Sequence, residues 1–307
     1  MIRLLFVALV LVCSTAQGQT AAELRTHVEY LASDDLGGRY PASDGMEKAK
    51  EYVRKECKAL GLEVFTQDVT VKGGTCQNII GVLEGKRTDK RIVIGAHLDH
   101  IGTTPARRFR QPEVFNGADD NASGSAAVLA LAKRLARVKP ACTIEFHWYT
   151  GEEQNLLGSK QYVKRPIGEI EEYVCMINLD MVGRLKNKQL VGDDTTPLIL
   201  PIPEPAIDLD EVLAPLYDKY IFAEKITWAS DTRDSDHSSW WQAGVPAVIL
   251  HTGLHGDYHK TTDDAEKLYY DGMVDVCHYA LDIVDGVYRA LGMTVTVPDD
   301  QEPFVLY

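Results

Sequence analysis

Apolar and polar positions divide this chain into alternating helical and extended stretches. Leu24, Val28 and Leu31 recur at helical spacing and predict a helix over residues 21–32. Residues 34–39, rich in Asp and Gly, read as a turn. A second helix is predicted from about residue 45 to 60, with Gly61 just past its end. Residues 63–71 and 77–84 read as a strand pair joined across Gly73-Gly74. Residues 91–98 are strongly apolar and predict a buried central strand, and residues 123–136 predict a helix rich in Ala and Leu. Further strands are expected over 142–149, 174–180, 220–227 and 245–250, with a Pro-rich loop over 196–205. Met273, Val276, Cys277, Ala280, Leu281, Val284 and Tyr288 keep the spacing of a buried face in a last helix from about 265 to 291. No linker, repeat or low-complexity tract divides the chain. The pattern predicts the α/β class: a single three-layer α/β/α domain around a central mixed, mainly parallel sheet.

The first residues carry a different signal. Arg3, the apolar run from Leu4 to Val12 and the small-x-small end Ala16-Gln17-Gly18 predict a signal peptide over residues 1–18, with the domain over 19–307. The apolar run is too short to span a bilayer, so no membrane span is expected. The chain is expected to be exported, to the periplasm or the extracellular space. Cys13 raises lipoprotein anchoring, but Val12 stands where such signals carry a small residue. The net charge of −13 argues against nucleic acid or an anionic membrane as a partner. Beyond the leader stand Cys57, Cys76, Cys142, Cys175 and Cys277. One disulfide is plausible in an exported chain, yet the number is odd and no CxxC occurs. Cys142 and Cys175 sit in strand-like runs and read as small buried hydrophobes.

Candidate chemistry gathers where predicted strands end. His97, Asp99, Asp119 and Asp120 lie within a short span, and Glu152-Glu153, Asp180 and Tyr258-His259 follow other apolar runs. In open α/β sheets, sites form at the carboxyl ends of strands. Zinc takes imidazole and carboxylate donors, and a pair of zinc ions shares a bridging carboxylate. The sequence supplies such a set: His97 and Asp180 for one ion, Glu153 and His259 for the other, Asp120 between them. Glu152 remains to take a proton. Other divalent transition metals suit the same donors. Each piece alone has a blander reading, as a surface pair, a solvated face or a helix cap; only the conjunction points to a site. His147 reads as core, and His27 and His278 as helix residues. His100, His251 and His255 fall nearby without matching a ligand position. There is no GxSxG elbow to make Ser235-Asp236-His237 a serine triad, and no HExxH.

Several fragments together resemble the bacterial leucyl aminopeptidase and aminopeptidase Y family of two-zinc metallopeptidases. They are Gly95-Ala96-His97-Leu98-Asp99, Asp120-Asn121-Ala122-Ser123-Gly124, Gly151-Glu152-Glu153 with Gly158-Ser159, Asn178-Leu179-Asp180-Met181, Ser235-Asp236-His237, and His259 with Asp263. Asp34-Asp35-Leu36 through Gly38-Arg39 also looks like the start of such chains. The resemblance implies a zinc-peptidase fold binding two zinc ions through His97, Asp120, Glu153, Asp180 and His259, with Asp120 bridging and a cis peptide after it. It implies Glu152 as the general base, Asp99 as the orienter of His97, Asp263 in a like role near His259, and Tyr258 as an oxyanion donor. The substrates would be peptides with a free N-terminus. Three other readings stay open: a single-zinc glutaminyl cyclase, a carboxypeptidase that would use Arg107, Arg108 and Arg110 on a terminal carboxylate, and a non-catalytic binding protein.

Overall fold

The computed structural model describes residues 20–106, 111–190, 205–222, 227–228 and 235–293. The predicted signal peptide, the Arg107–Arg110 loop and all but the last residue of the Pro-rich loop lie outside these residues. Helix α1 (Ala21–Leu31) is capped by the Thr20 hydroxyl, which accepts the Glu23 N–H, and it buries Leu24, Val28 and Leu31. Helix α2 (Asp44–Ala59) begins in the same way, with the Ser43 side chain accepting from Met46 N–H. Strands β1 (Glu63–Val71) and β2 (Gly74–Leu83) form an antiparallel pair. The remaining strands are β3 (Arg87–His97), β4 (Cys142–Tyr149), β5 (Tyr173–Leu179), β6 (Leu185–Lys186), β7 (Gln189–Leu190), β8 (Thr227–Trp228) and β9 (Ala247–Leu250). Helices α3 (Gly124–Leu135), α4 (Leu157–Lys164), α5 (Leu209–Lys219), α6 (His237–Gln242) and α7 (Tyr270–Ala290) complete the chain.

Seven strands form one sheet in the order β1-β2-β4-β3-β5-β9-β8. Its middle four, β4, β3, β5 and β9, run parallel, and the flanking pairings are antiparallel. Strands β4 and β5 are buried along their whole length, as expected of parallel strands covered on both faces. Helices α1, α2, α3, α5 and α7 contribute to the larger core; a smaller one joins Ile80, Val93, Tyr149, Tyr162, Tyr173, Met176 and Trp240, with α4 and α6. This is the single three-layer α/β domain expected, with a mixed sheet.

The departures are local. Tyr220 closes α5, and Ile221-Phe222 form a turn, so the strand expected over 220–227 is present only as Thr227-Trp228, with residues 223–226 outside the described set. Tyr220 and Phe222 instead pack against Tyr279 of α7. The last helix starts at Tyr270, not near 265, because residues 265–267 form a separate short turn and Leu268 is extended. Five cysteines are buried and free, with no disulfide among the described residues. No described helix is long and apolar enough to cross a membrane.

Candidate metal centre

The parallel strands end abreast. His97 on β3 pairs with Tyr149 on β4, Gly95 with Asn178 on β5, and Leu179 with Leu250 on β9. Residues that follow these strands must therefore emerge at one edge, and this edge carries the predicted site. Asp120 comes from a wide turn, Ala118–Ser123, that leads into α3. That turn is fastened from several sides. The Asn121 side chain donates to Leu179 O and accepts the N–H groups of Gly124 and Met181. Ser123 Oγ accepts the Val182 N–H, and Asp119 Oδ1 accepts the Gly183 N–H at 2.7 Å. Gly124 has no alternative here, since a Cβ would stand 2.1 Å from Leu179 O. The Asp120–Asn121 peptide bond is cis, as the resemblance implies.

Two sets of donors converge on Asp120. His97 Nε2 lies 3.3 Å from Asp120 Oδ1 and 3.3 Å from Asp180 Oδ1. His259 Nε2 lies 3.0 Å from Asp120 Oδ2 and 3.2 Å from Glu153 Oε2. The two oxygens of Asp120 thus face different partners, as a bridging carboxylate must. The donor atoms of His97, Asp120 and Asp180 lie within 4.8 Å of one another, and so do those of His100, Asp120 and Glu153. Glu152 belongs to neither set; its Oε2 is 4.0 Å from His97 Nε2. Every sequence-predicted metal residue is therefore at the site, with Tyr258 stacked on the His259 ring at 3.9 Å.

The electrostatics describe a site short of positive charge. Burial alone would lower the pKa of His97, but the carboxylates of Asp180 and Glu152 and hydrogen bonds with Asp120 and Asp180 hold it well above its ordinary value. His259, less buried, is raised to about 10 by Asp120 and Glu153 against its own desolvation. Burial pushes Glu152 well up, helped by Asp180, Asp236 and Glu153 and opposed by His97. Asp99 is raised to about 7 by burial, against the pull of His97. A nest of carboxylates that forces protons onto both imidazoles is one that divalent cations would neutralise, and its N/O donors suit zinc. The residues present fit the metal that the sequence implies.

Four supporting residues differ from the sequence reading. The Asp99 carbonyl, not its carboxylate, is the nearer partner of His97 Nδ1, at 3.1 Å against 4.0 Å. The Asp99 carboxylate accepts the Glu152 N–H instead. Asp263 does not support His259; its Oδ2 accepts the backbone N–H groups of Asp119 and Asp120, at 2.9 and 3.1 Å. His100, set aside in the sequence, is wholly buried inside the site, with Nδ1 2.8 Å from Glu153 Oε1. His255 also enters, with Nε2 3.0 Å from Asp119 Oδ2. Ser235 donates to Asp180 Oδ2 at 2.6 Å and accepts from Asn178, which makes the Ser235-Asp236-His237 run a support for a ligand. Beneath them Arg39, from the N-terminal turn, is buried and donates to the carbonyls of Leu31, Leu98, Asn116 and Gly117 at 2.6–3.0 Å. Burial lowers its pKa to about 10, with Asp120 and Asp99 opposing. Sequence offered one signal for His100: it lies three residues beyond His97, past the end of the same strand.

A shared carboxylate between two imidazole–carboxylate donor sets, at the carboxyl edge of a parallel sheet, makes two candidate metal positions of the kind used by metal-dependent hydrolases. The sequence pattern of Peptidase family M28 matches residues 78–284, and the chain belongs to that family. Leupeptin-inactivating enzyme 1 of Streptomyces exfoliatus is 31% identical over 252 residues, 80% of this chain and 52% of that protein; this chain thus spans about half the length of that relative. A probable leucine aminopeptidase of Arthroderma benhamiae is 30% identical over 269 residues, 80% of this chain and 71% of the relative. Among solved structures, a glutaminyl cyclase of Bacteroides thetaiotaomicron bound to N-acetylhistamine superposes with a TM-score of 0.67 at 20% identity, covering 87% of this chain and 98% of that one.

Proposed function

We propose that this metallopeptidase is an exported aminopeptidase that removes N-terminal residues from peptides, with two zinc ions held by His97, Asp120, Glu153, Asp180 and His259. The observation that carries the reading is the division of Asp120, with one oxygen toward His97 and the other toward His259. Bound zinc supplies Lewis acidity to a carbonyl oxygen and acidifies water. The chain supplies the rest. Glu152 is the general base: it is only slightly exposed, stands outside both donor sets and has a raised affinity for protons. It takes a proton from water and delivers it to the departing amine. Asp99 holds His97 through its carbonyl and the Glu152 backbone through its carboxylate. Tyr258, partly exposed over His259, is assigned the contact to the developing oxyanion. Export rests on the leader pattern of residues 1–18.

A glutaminyl cyclase is the competing reading, supported by the shared fold. The sequence likeness runs to an aminopeptidase at higher identity, and the second donor set exceeds the needs of a single zinc. The test is zinc content of the purified protein beside release of amino acid from Leu-, Ala- and Lys-p-nitroanilide. Two zinc ions per chain with chelator-sensitive release is the expected result. One zinc, no release and cyclisation of glutaminyl peptides would replace the reading with the cyclase.

A further inference from the structure

His100 is a histidine at the centre that the five-ligand set does not use. Its ring is buried against its neighbours. The backbone N–H of His100 donates to the Arg39 carbonyl at 3.3 Å. The ring meets His259 edge-on, with centroids 5.7 Å apart. Gly117, at φ 56°, leaves space for it; a Cβ there would come within 2.5 Å of His100 Cδ2. Only one ring nitrogen has a partner: Nδ1 faces Glu153 Oε1 at 2.8 Å, and Nε2 is buried with no hydrogen-bond partner among the described residues.

A ring nitrogen beside a carboxylate is either a metal ligand or a hydrogen-bond donor, and the proton decides between them. As a ligand, Nδ1 would offer its lone pair and the proton would sit on Nε2, where a buried N–H would go unpaired at the full cost of its desolvation. As a donor, Nδ1 carries the proton and Nε2 keeps only a lone pair. The distances agree. Donors bound at 2.0–2.1 Å in a tetrahedral shell stand about 3.3–3.4 Å apart, close to the 3.3, 3.3 and 3.2 Å spacings of His97 to Asp120, His97 to Asp180 and His259 to Glu153, while His259 to Asp120 is shorter at 3.0 Å. The 2.8 Å contact of His100 is a hydrogen bond, and its distance to Asp120 Oδ2 is 3.9 Å. Glu153 divides its oxygens accordingly, with Oε1 toward His100 and Oε2 toward His259.

We infer that His100 is a positioning residue for the Glu153–His259 cation. Its Nδ1–H holds Glu153 Oε1, keeps Oε2 aimed at the shared position, and so sets the affinity of that position while leaving the His97–Asp180 position alone. The inference rests on the two-ion reading above. Stepwise zinc titration by calorimetry, with native mass spectrometry for stoichiometry, tests it on wild type, H100A and H100N. Asn presents an N–H close to where the imidazole Nδ1–H stands. H100A should weaken one of two binding events by about 10–100-fold and leave the other within about twofold; H100N should recover most of the loss. Adding H100A to E153A should cost nothing further. Two unchanged binding events in H100A would overturn the inference and leave the two-ion reading standing. H100N as weak as H100A, with a changed visible spectrum of the cobalt-loaded protein, would overturn it in favour of direct ligation. A single ion in the wild type at saturating zinc would remove the two-ion reading and this inference together.

Discussion

The sheet carries two buried clusters of acids, histidines and tyrosines, and they are wired in opposite ways. One surrounds Glu145 on β4, inside the core. Glu145 accepts from Arg91 Nη1 at 2.6 Å, from Tyr162 at 2.6 Å, from Tyr173 at 3.1 Å, and from His147 Nε2 at 2.9 Å. The pattern then continues without a gap: His147 Nδ1 accepts from the Tyr149 hydroxyl, and Tyr149 accepts from Trp240 Nε1. Burial would raise the pKa of Glu145, but His147, Tyr162 and Arg91 hold it below its ordinary value, and burial keeps His147 neutral. Every proton in this chain has an acceptor. The other cluster surrounds Asp120, and there the pKa values of His97, Glu152 and His259 all rise, Glu152 through burial and the two histidines through neighbouring carboxylates that outweigh burial. Both clusters draw on carboxylates, histidines and tyrosines. What separates a candidate site from a satisfied core is whether hydrogen-bond donors and acceptors are matched within the protein, and around Asp120 carboxylates and imidazoles converge in groups able to hold divalent cations.

Substitutions should break the two clusters differently. The largest effect is expected at Glu152. E152Q should lower kcat by about 10²–10⁴-fold with zinc content unchanged, measured by steady-state kinetics beside elemental analysis. D120A should remove zinc from both positions after dialysis; retention of one full equivalent would show that Asp120 does not bridge. In the core cluster the sign is reversed. E145A strips the partner from Arg91 and the tyrosines and should cost about 3–5 kcal/mol of stability in urea titration, with zinc stoichiometry intact in the folded fraction.

The smallest effect concerns pH. His147 has a folded pKa below its ordinary 6.5, so the unfolded chain takes up a proton first as pH falls. Its contribution to stability is therefore present above about pH 6.5 and is lost as pH falls below that value toward the folded pKa. In zinc-free protein, H147Q should show a smaller drop in unfolding free energy, from urea titrations at pH 7.5 and 5.5, than wild type, by up to about 1 kcal/mol. An equal drop in the two proteins would assign the proton uptake elsewhere.

His97, Glu153 and Asp180 were legible as candidates because each follows an apolar run, and apolar runs in an alternating pattern become parallel strands that end together. Asp120 and His259 lie in loops, and the resemblance, not periodicity, implied their roles. What surrounds the ligands was not legible for a matching reason: it depends on which atom of a residue faces inward. Asp99 serves His97 through its carbonyl and Asp263 serves backbone N–H groups, and neither choice leaves a trace in residue identity. His100 was placed near the site but given no role, because the chain leaves its strand at His97, after which no periodicity indicates burial. Helix α4 was missed because it is short and follows a tight turn. Helix α5 was missed because Pro215 lies within it, close after a Pro-rich stretch. Asp208, whose side chain accepts the N–H groups of Asp210 and Glu211, was the available sign of its start.

Arg39 gives the N-terminal turn a significance out of proportion to its length. One guanidinium joins α1 to the segment that follows His97 and to the loop that leads to Asp120, through the carbonyls of Leu31, Leu98, Asn116 and Gly117. The stretch matched by the family pattern begins only at residue 78. A fragment trimmed to that stretch keeps all five proposed ligands and discards the rivet that holds their loops together, so the minimal unit recognisable by sequence is smaller than the minimal unit able to build the centre.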